Sequence, residues 1–145
     1  MRKSLKAAAV AAAAAAVIVG FASPAAAKPT PGNSTDAWVC GSSRGGSGET
    51  AWVAGTCATK SGSGSVKAVW YPWDERMFVY DDYPNGYHTY AYLTVATHSA
   101  DLPLHTALSP EIFDLDYAEG LSVNFWVCSS AQDNAACTPR IYTTT

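Results

Sequence analysis

The strictest alternation of apolar and polar positions runs from Leu121 to Cys128. Leu121, Val123, Phe125 and Val127 share one side, and Ser122, Asn124, Trp126 and Cys128 share the other. A period of two puts such residues on opposite faces of a strand, whereas a helix would scatter them around its axis. Tyr87 to Val95 repeats the pattern, with Ala91, Leu93 and Val95 on one side and His88, Tyr90, Tyr92 and Thr94 on the other. Pro84-Asn85-Gly86 ahead of it is a turn signal. Both stretches predict a strand with one face in a core and a second, aromatic face. Leu93, Val95, Val123, Phe125 and Val127 are expected to be buried on facing sheets.

Weaker versions of the same pattern fill the rest of the chain. Trp38-Val39-Cys40 opens a strand, Gly41 to Gly48 reads as a flexible loop, and Thr50 to Lys60 is its predicted partner. Val66 to Tyr71 turns through Pro72-Trp73-Asp74 into Arg76 to Tyr80, where Met77 and Val79 oppose Phe78 and Tyr80. His98 to Pro110, interrupted by Pro103, reads as an irregular connection between sheets. Glu111 to Tyr117 alternates again and turns at Glu119-Gly120. Ala131 to Ala136 is a loop, and Thr138 to Thr145 a last strand that Pro139 places at an edge. Seven or eight short strands, with no amphipathic helix and no internal repeat, predict a small antiparallel β-sandwich, with a small β-barrel as the alternative.

The first 27 residues follow different rules. Arg2, Lys3 and Lys6 precede an Ala-rich apolar run to Phe21, and Ser23-Pro24-Ala25-Ala26-Ala27 offers small residues for cleavage. The run is too short to span a bilayer, so residues 1–27 read as a secretory signal of bacterial type. Residues 28–36, rich in Pro, Gly, Ser and Thr, read as a flexible arm, and residues 37–145 as a single domain. Asn33-Ser34-Thr35 is a formal glycosylation sequon, taken as chance in a bacterial chain. Without the signal, six basic residues remain against twelve acidic ones, a formal net charge of −6. That charge, with no basic stripe, argues against nucleic acid and anionic membranes as partners.

Cys40, Cys57, Cys128 and Cys137 all fall in the exported part. An even count in a small secreted domain implies disulfides. Of three connectivities, Cys40–Cys57 and Cys128–Cys137 are expected, because each pair brackets one candidate hairpin. No pair has the close spacing of a zinc site.

Candidate chemistry is thin. Asp81, Asp82 and Asn85, or Asp114, Asp116 and Glu119, supply oxygens for calcium, but neither set matches a calcium loop, and such residues commonly serve turns. His98, Asp101 and His105, with Ser99 and Ser109, lack a nucleophile elbow. No catalytic residue, cofactor or metal is expected. The aromatics carry more. Five tryptophans and eight tyrosines exceed what a small core needs. Tyr90, Tyr92 and Trp126 occupy polar-facing positions, and Tyr71 and Trp73 form a similar set. Either both sheet faces are covered within the domain, or these five residues form a binding face.

Two segments resemble a family of small secreted proteins from filamentous soil bacteria. One is Val79-Tyr80-Asp81, Asn85-Gly86 and Ala91-Tyr92-Leu93. The other is Val123-Asn124-Phe125-Trp126-Val127-Cys128, followed by Cys137-Thr138 and a Thr-rich end. Together they are similar to the adaptor subunits of umbrella-shaped toxin particles, in which an adaptor joins a lectin-like subunit to a large scaffold. The resemblance implies an extracellular, non-enzymatic connector that binds other secreted proteins, with scaffold and lectin-like subunits as partners. A carbohydrate-binding module and an inhibitor of a secreted hydrolase are the competing readings. A carbohydrate module usually rides on an enzyme, and no fused catalytic domain is expected here, while Gly41 to Gly48 reads as too floppy for an inhibitory loop.

Overall fold

A computed structural model describes residues 29–32, 37–96, 102–106 and 109–145. The expected signal segment, the sequon, His98, Ser99 and Asp101 lie outside the described residues. Nine strands are described: β1 (Trp38–Gly45), β2 (Trp52–Thr59), β3 (Ser65–Tyr71), β4 (Arg76–Asp81), β5 (Thr89–Val95), β6 (Leu102–Thr106), β7 (Glu111–Asp114), β8 (Ser122–Cys128) and β9 (Ile141–Thr144). They form two antiparallel sheets, β1-β2-β3-β4-β7 and β6-β5-β8-β9. The fold is a disulfide-stapled β-sandwich.

The core lies between the sheets. Val53, Cys57, Val66, Ala68, Trp70, Met77 and Val79 come from the first sheet, and Ala91, Leu93, Val95, Leu104, Val123, Phe125, Val127 and Ile141 from the second. Leu93, Val95, Val123, Phe125 and Val127 are all buried, and Leu121 at the start of the same stripe is partly buried. One expectation fails, because β5 and β8 are neighbours in one sheet, with Leu93 opposite Phe125, and do not face each other across the core. Alternation specifies a face, and cannot say whether two similar strands pair or stack. The Trp70 indole N–H crosses the core and donates to Thr144 O at 3.0 Å, tying the two sheets.

Three predicted irregular or regular stretches change character. The Gly/Ser run after Cys40 continues as strand to Gly45, because it pairs residue by residue with Trp52–Thr59 and Cys40 is bonded to Cys57 directly opposite. Pairing overrides the poor strand propensity of Gly and Ser. Leu102–Thr106 is a strand despite Pro103, which an edge position tolerates. Conversely, the strand predicted from Glu111 ends at Asp114.

Both disulfides join as expected, Cys40 to Cys57 and Cys128 to Cys137. The second closes an isolated bridge beyond the β8–β9 ladder. Between Phe125, opposite Ile141, and Cys128, opposite Cys137, two residues of β8 face three of the returning chain. That is a bulge at Thr138-Pro139-Arg140. The Thr138 hydroxyl repairs the ladder by accepting from Val127 N–H at 3.1 Å. Of the expected flexible arm, residues 29–32 are docked here, with Pro29 buried and Gly32 N–H donating to Thr138 O at 2.7 Å.

Candidate functional site

Outward from the β6-β5-β8-β9 sheet runs a row of rings. Tyr92 lies opposite Trp126 in register, and their rings stack at 5.1 Å and 19°. Tyr90 follows two residues earlier at 6.1 Å, then His105 of β6 at 5.2 Å, then His88. At the other end the Arg140 guanidinium sits 4.3 Å from the Trp126 ring, steadied by Asn124 Oδ1 at 2.8 Å.

His105 and His88 are exposed, but the Trp126 end of this row is not an open surface. Trp126 is 0% and Tyr92 5% exposed, and Tyr90 is half-buried. After Cys128 the chain doubles back, its loop fastened by the Ser129 N–H to Ala136 O bond and by the Ser129 hydroxyl accepting from Ala136 N–H. Ala135 and the Cys128–Cys137 bridge then pack on the rings. Burial, and secondarily Tyr90, pushes the Tyr92 phenol up to about 12. The outcome at Tyr92 and Trp126 is the covered-face alternative. They are a second, smaller core.

The first sheet is different. Its outward positions include Trp52 and Ala54 of β2, Lys67, Val69 and Tyr71 of β3, and Phe78 and Tyr80 of β4. With Ser43 and Thr56, most of these line a shallow trough of about 330 Å³ that crosses the sheet from β1 to β4. Trp52, Tyr71, Phe78 and Tyr80 are all half-buried, and Val39 and Ile112 extend the face with 61% and 54% exposure. Trp73, at 61%, projects from the β3–β4 turn. Tyr71 meets Phe78 edge-on at 5.2 Å, and the Lys67 ammonium lies 4.1 Å from the Tyr80 ring centre. Burial, then Tyr71 and Asp82, raise the Tyr80 phenol. Gly45 is required here. A Cβ at that position would come within 2.8 Å of the Trp52 indole, which leans over its backbone onto β1.

Of the five residues expected to bind, the structure therefore brings only Tyr71 to this face and Trp73 near it. Trp52, Phe78 and Tyr80 were missed as site residues. Alternation in Arg76 to Tyr80 put Phe78 and Tyr80 opposite the core pair, which was the available signal. In β3 both faces carry apolar residues, so no contrast marks Val69 and Tyr71 as outward.

Most of the remaining candidates have structural partners. A cleft of about 440 Å³ is lined by residues 81–84 and 86–88. Its carboxylates are engaged, however, with Asp81 accepting from the backbone N–H groups of Tyr83 and Thr89, and Asp82 from the Ser109 hydroxyl. Asp114 pairs with Arg76 at 3.6 Å. His105 lies against Tyr90 with the two rings tilted by 38°. Among the described residues there is no group of three His, Cys, Asp or Glu side chains placed to hold a metal, and no helix long and apolar enough to cross a membrane. Comparison with protein-family models, with curated proteins and with solved structures gives no match.

Proposed function

We propose that the exported chain is a secreted, non-enzymatic module that binds other proteins, an adaptor within an extracellular assembly such as the toxin particles it resembles. The observation that carries this reading is the half-open aromatic face of β2-β3-β4, where a solvated sheet would carry Thr, Ser or Lys. Tyr and Trp bury large areas at small entropic cost and anchor protein interfaces. A sugar ring would need an aromatic ring with an open face. Here Lys67 occupies one face of Tyr80, Phe78 abuts Tyr71, and one side of Trp52 lies on Gly45. That crowding favours a protein over a polysaccharide.

The test is capture and cross-linking from culture supernatant with wild type and with Trp52→Ala, Tyr71→Ala and Tyr80→Ala, beside thermal unfolding of each. Truncating an interface anchor typically costs ≥2 kcal/mol, so partner recovery is expected to fall about thirtyfold with little change in Tm. Binding to an insoluble polysaccharide, with no protein recovered, would replace this reading with the carbohydrate one.

A further inference from the structure

We infer that the free edge of β1 receives an extended segment of a partner protein as a sixth strand of the first sheet, an inference that rests on the protein-binding reading above. A bare sheet edge is a template for pairing, and proteins ordinarily blunt such edges with proline, charge, bulges, short strands or a cover. Three of the four edges here are blunted. β6 contains Pro103, and β7 is four residues long with Glu111 and Asp114 at its ends. β9 is preceded by the bulge at Pro139 and backed by the Gly32 N–H to Thr138 O bond. Among the described residues β1 has none of these devices except a single charge. It is eight residues long, without proline or bulge, and Arg44 is its one charge.

The phase of its hydrogen bonds follows from the disulfide. Cys40 and Cys57 sit opposite each other with Cα atoms 4.1 Å apart, the narrow spacing of a pair that does not exchange backbone bonds. The bond from Lys60 N–H to Ala37 O fits the same phase, placing odd-numbered residues in the bonded pairs. The N–H and C=O groups of Cys40, Ser42 and Arg44 therefore point away from β2. No described residue bonds to them. The Cys40–Cys57 bridge holds this edge straight and in register.

Side chains set the chemistry of the occupant. On the outward face β1 presents Gly41 and Ser43, small residues that leave room for a neighbour's bulk, and Ser43 lines the end of the trough beneath Trp52. An incoming strand with large apolar residues at alternate positions reaches across Gly41 and Ser43 into that trough. Main-chain bonds then give affinity and the trough gives selectivity.

The probe is a library of random ten-residue peptides, selected on the oxidised full chain. Selected peptides are expected to alternate bulky apolar residues and to lose at least tenfold in affinity when alternate backbone amides are N-methylated. Hydrogen exchange should show the amides of Cys40, Ser42 and Arg44 fast in the free protein and protected in the complex. Ser42→Pro, which removes an N–H that β2 does not use, should weaken binding at least tenfold and leave Tm nearly unchanged. Failure to select any peptide, binding indifferent to N-methylation, or protection elsewhere would overturn the inference. A concentration-dependent dimer abolished by Ser42→Pro would overturn the heterologous occupant in favour of a second copy. Capture of a protein partner that leaves these three amides unprotected defeats the edge alone, whereas failure to capture any protein defeats the adaptor reading.

Discussion

Tyr92 lies between Trp126 and Tyr90, and its burial has a measurable consequence in alkali. A phenol ionises near 10 in the unfolded chain and at about 12 here. Between those values the folded state keeps a proton that the unfolded state has lost, so stability falls as pH rises through that window. Below pH 10 the contribution is complete. Between pH 9.5 and 11.5, wild type should lose about 1–2 kcal/mol more than Tyr92→Phe, read from urea unfolding at each pH. The same contrast of environments separates two tryptophans. Trp126→Ala should cost ~3–5 kcal/mol, as should Phe125→Ala, because both are fully buried. Trp73→Ala should move the unfolding midpoint hardly at all. The sequence shows that Trp126 lies opposite the apolar stripe of β8. Whether that side is wet depends on the returning loop and on Arg140, which no local pattern encodes.

At the level of elements, alternation located the strands that have one polar and one apolar face, β5 and β8 above all. It was silent where strand formation depends on pairing. Gly41 to Gly45 is strand because a disulfide pins its start and β2 lies alongside. Replacing both Cys40 and Cys57 by Ser should cost ~2–4 kcal/mol and let β1 fray. Amide exchange at Gly41, Ser43 and Gly45 should then approach unfolded rates while β5 and β8 stay protected. Equal loosening of both sheets would show that the bridge supports the whole sandwich instead of one edge. Pro103 misled for the opposite reason. A proline excludes an interior strand, yet β6 is an edge, and edge position is a property of topology.

For the whole molecule, fold class and both disulfides were legible because period-two patterning and cysteine spacing survive any arrangement of strands. The arrangement itself was not. Pro84-Asn85-Gly86 reads as a turn, but nothing in it tells that the chain there passes from β4 in one sheet to β5 in the other. The proposed binding face was obscured likewise, since both sides of β3 carry apolar residues and only the three-dimensional cover distinguishes them. Trp70 makes one polar link between the layers, beside the Thr89 N–H to Asp81 Oδ2 bond from β5 to β4. Trp70→Phe keeps most of the buried ring but leaves Thr144 O without its donor, and should cost about 1–3 kcal/mol in chemical unfolding.

Each disulfide joins neighbouring strands of one sheet, and among the described residues nothing covalent spans the two layers. Under tension applied between Trp38 and Thr145, the sandwich can part into its sheets without breaking a sulfur bond. The loops behind the bridges, with sequence separations of 17 and 9, cannot pay out. At roughly 3.5 Å per residue, the fully stretched chain is then on the order of 80–90 Å shorter than the reduced one. In an optical trap the oxidised protein should therefore rupture at a force set by packing and hydrogen bonds, with no covalent contribution. It should stop short by that length, with reductant restoring the missing extension.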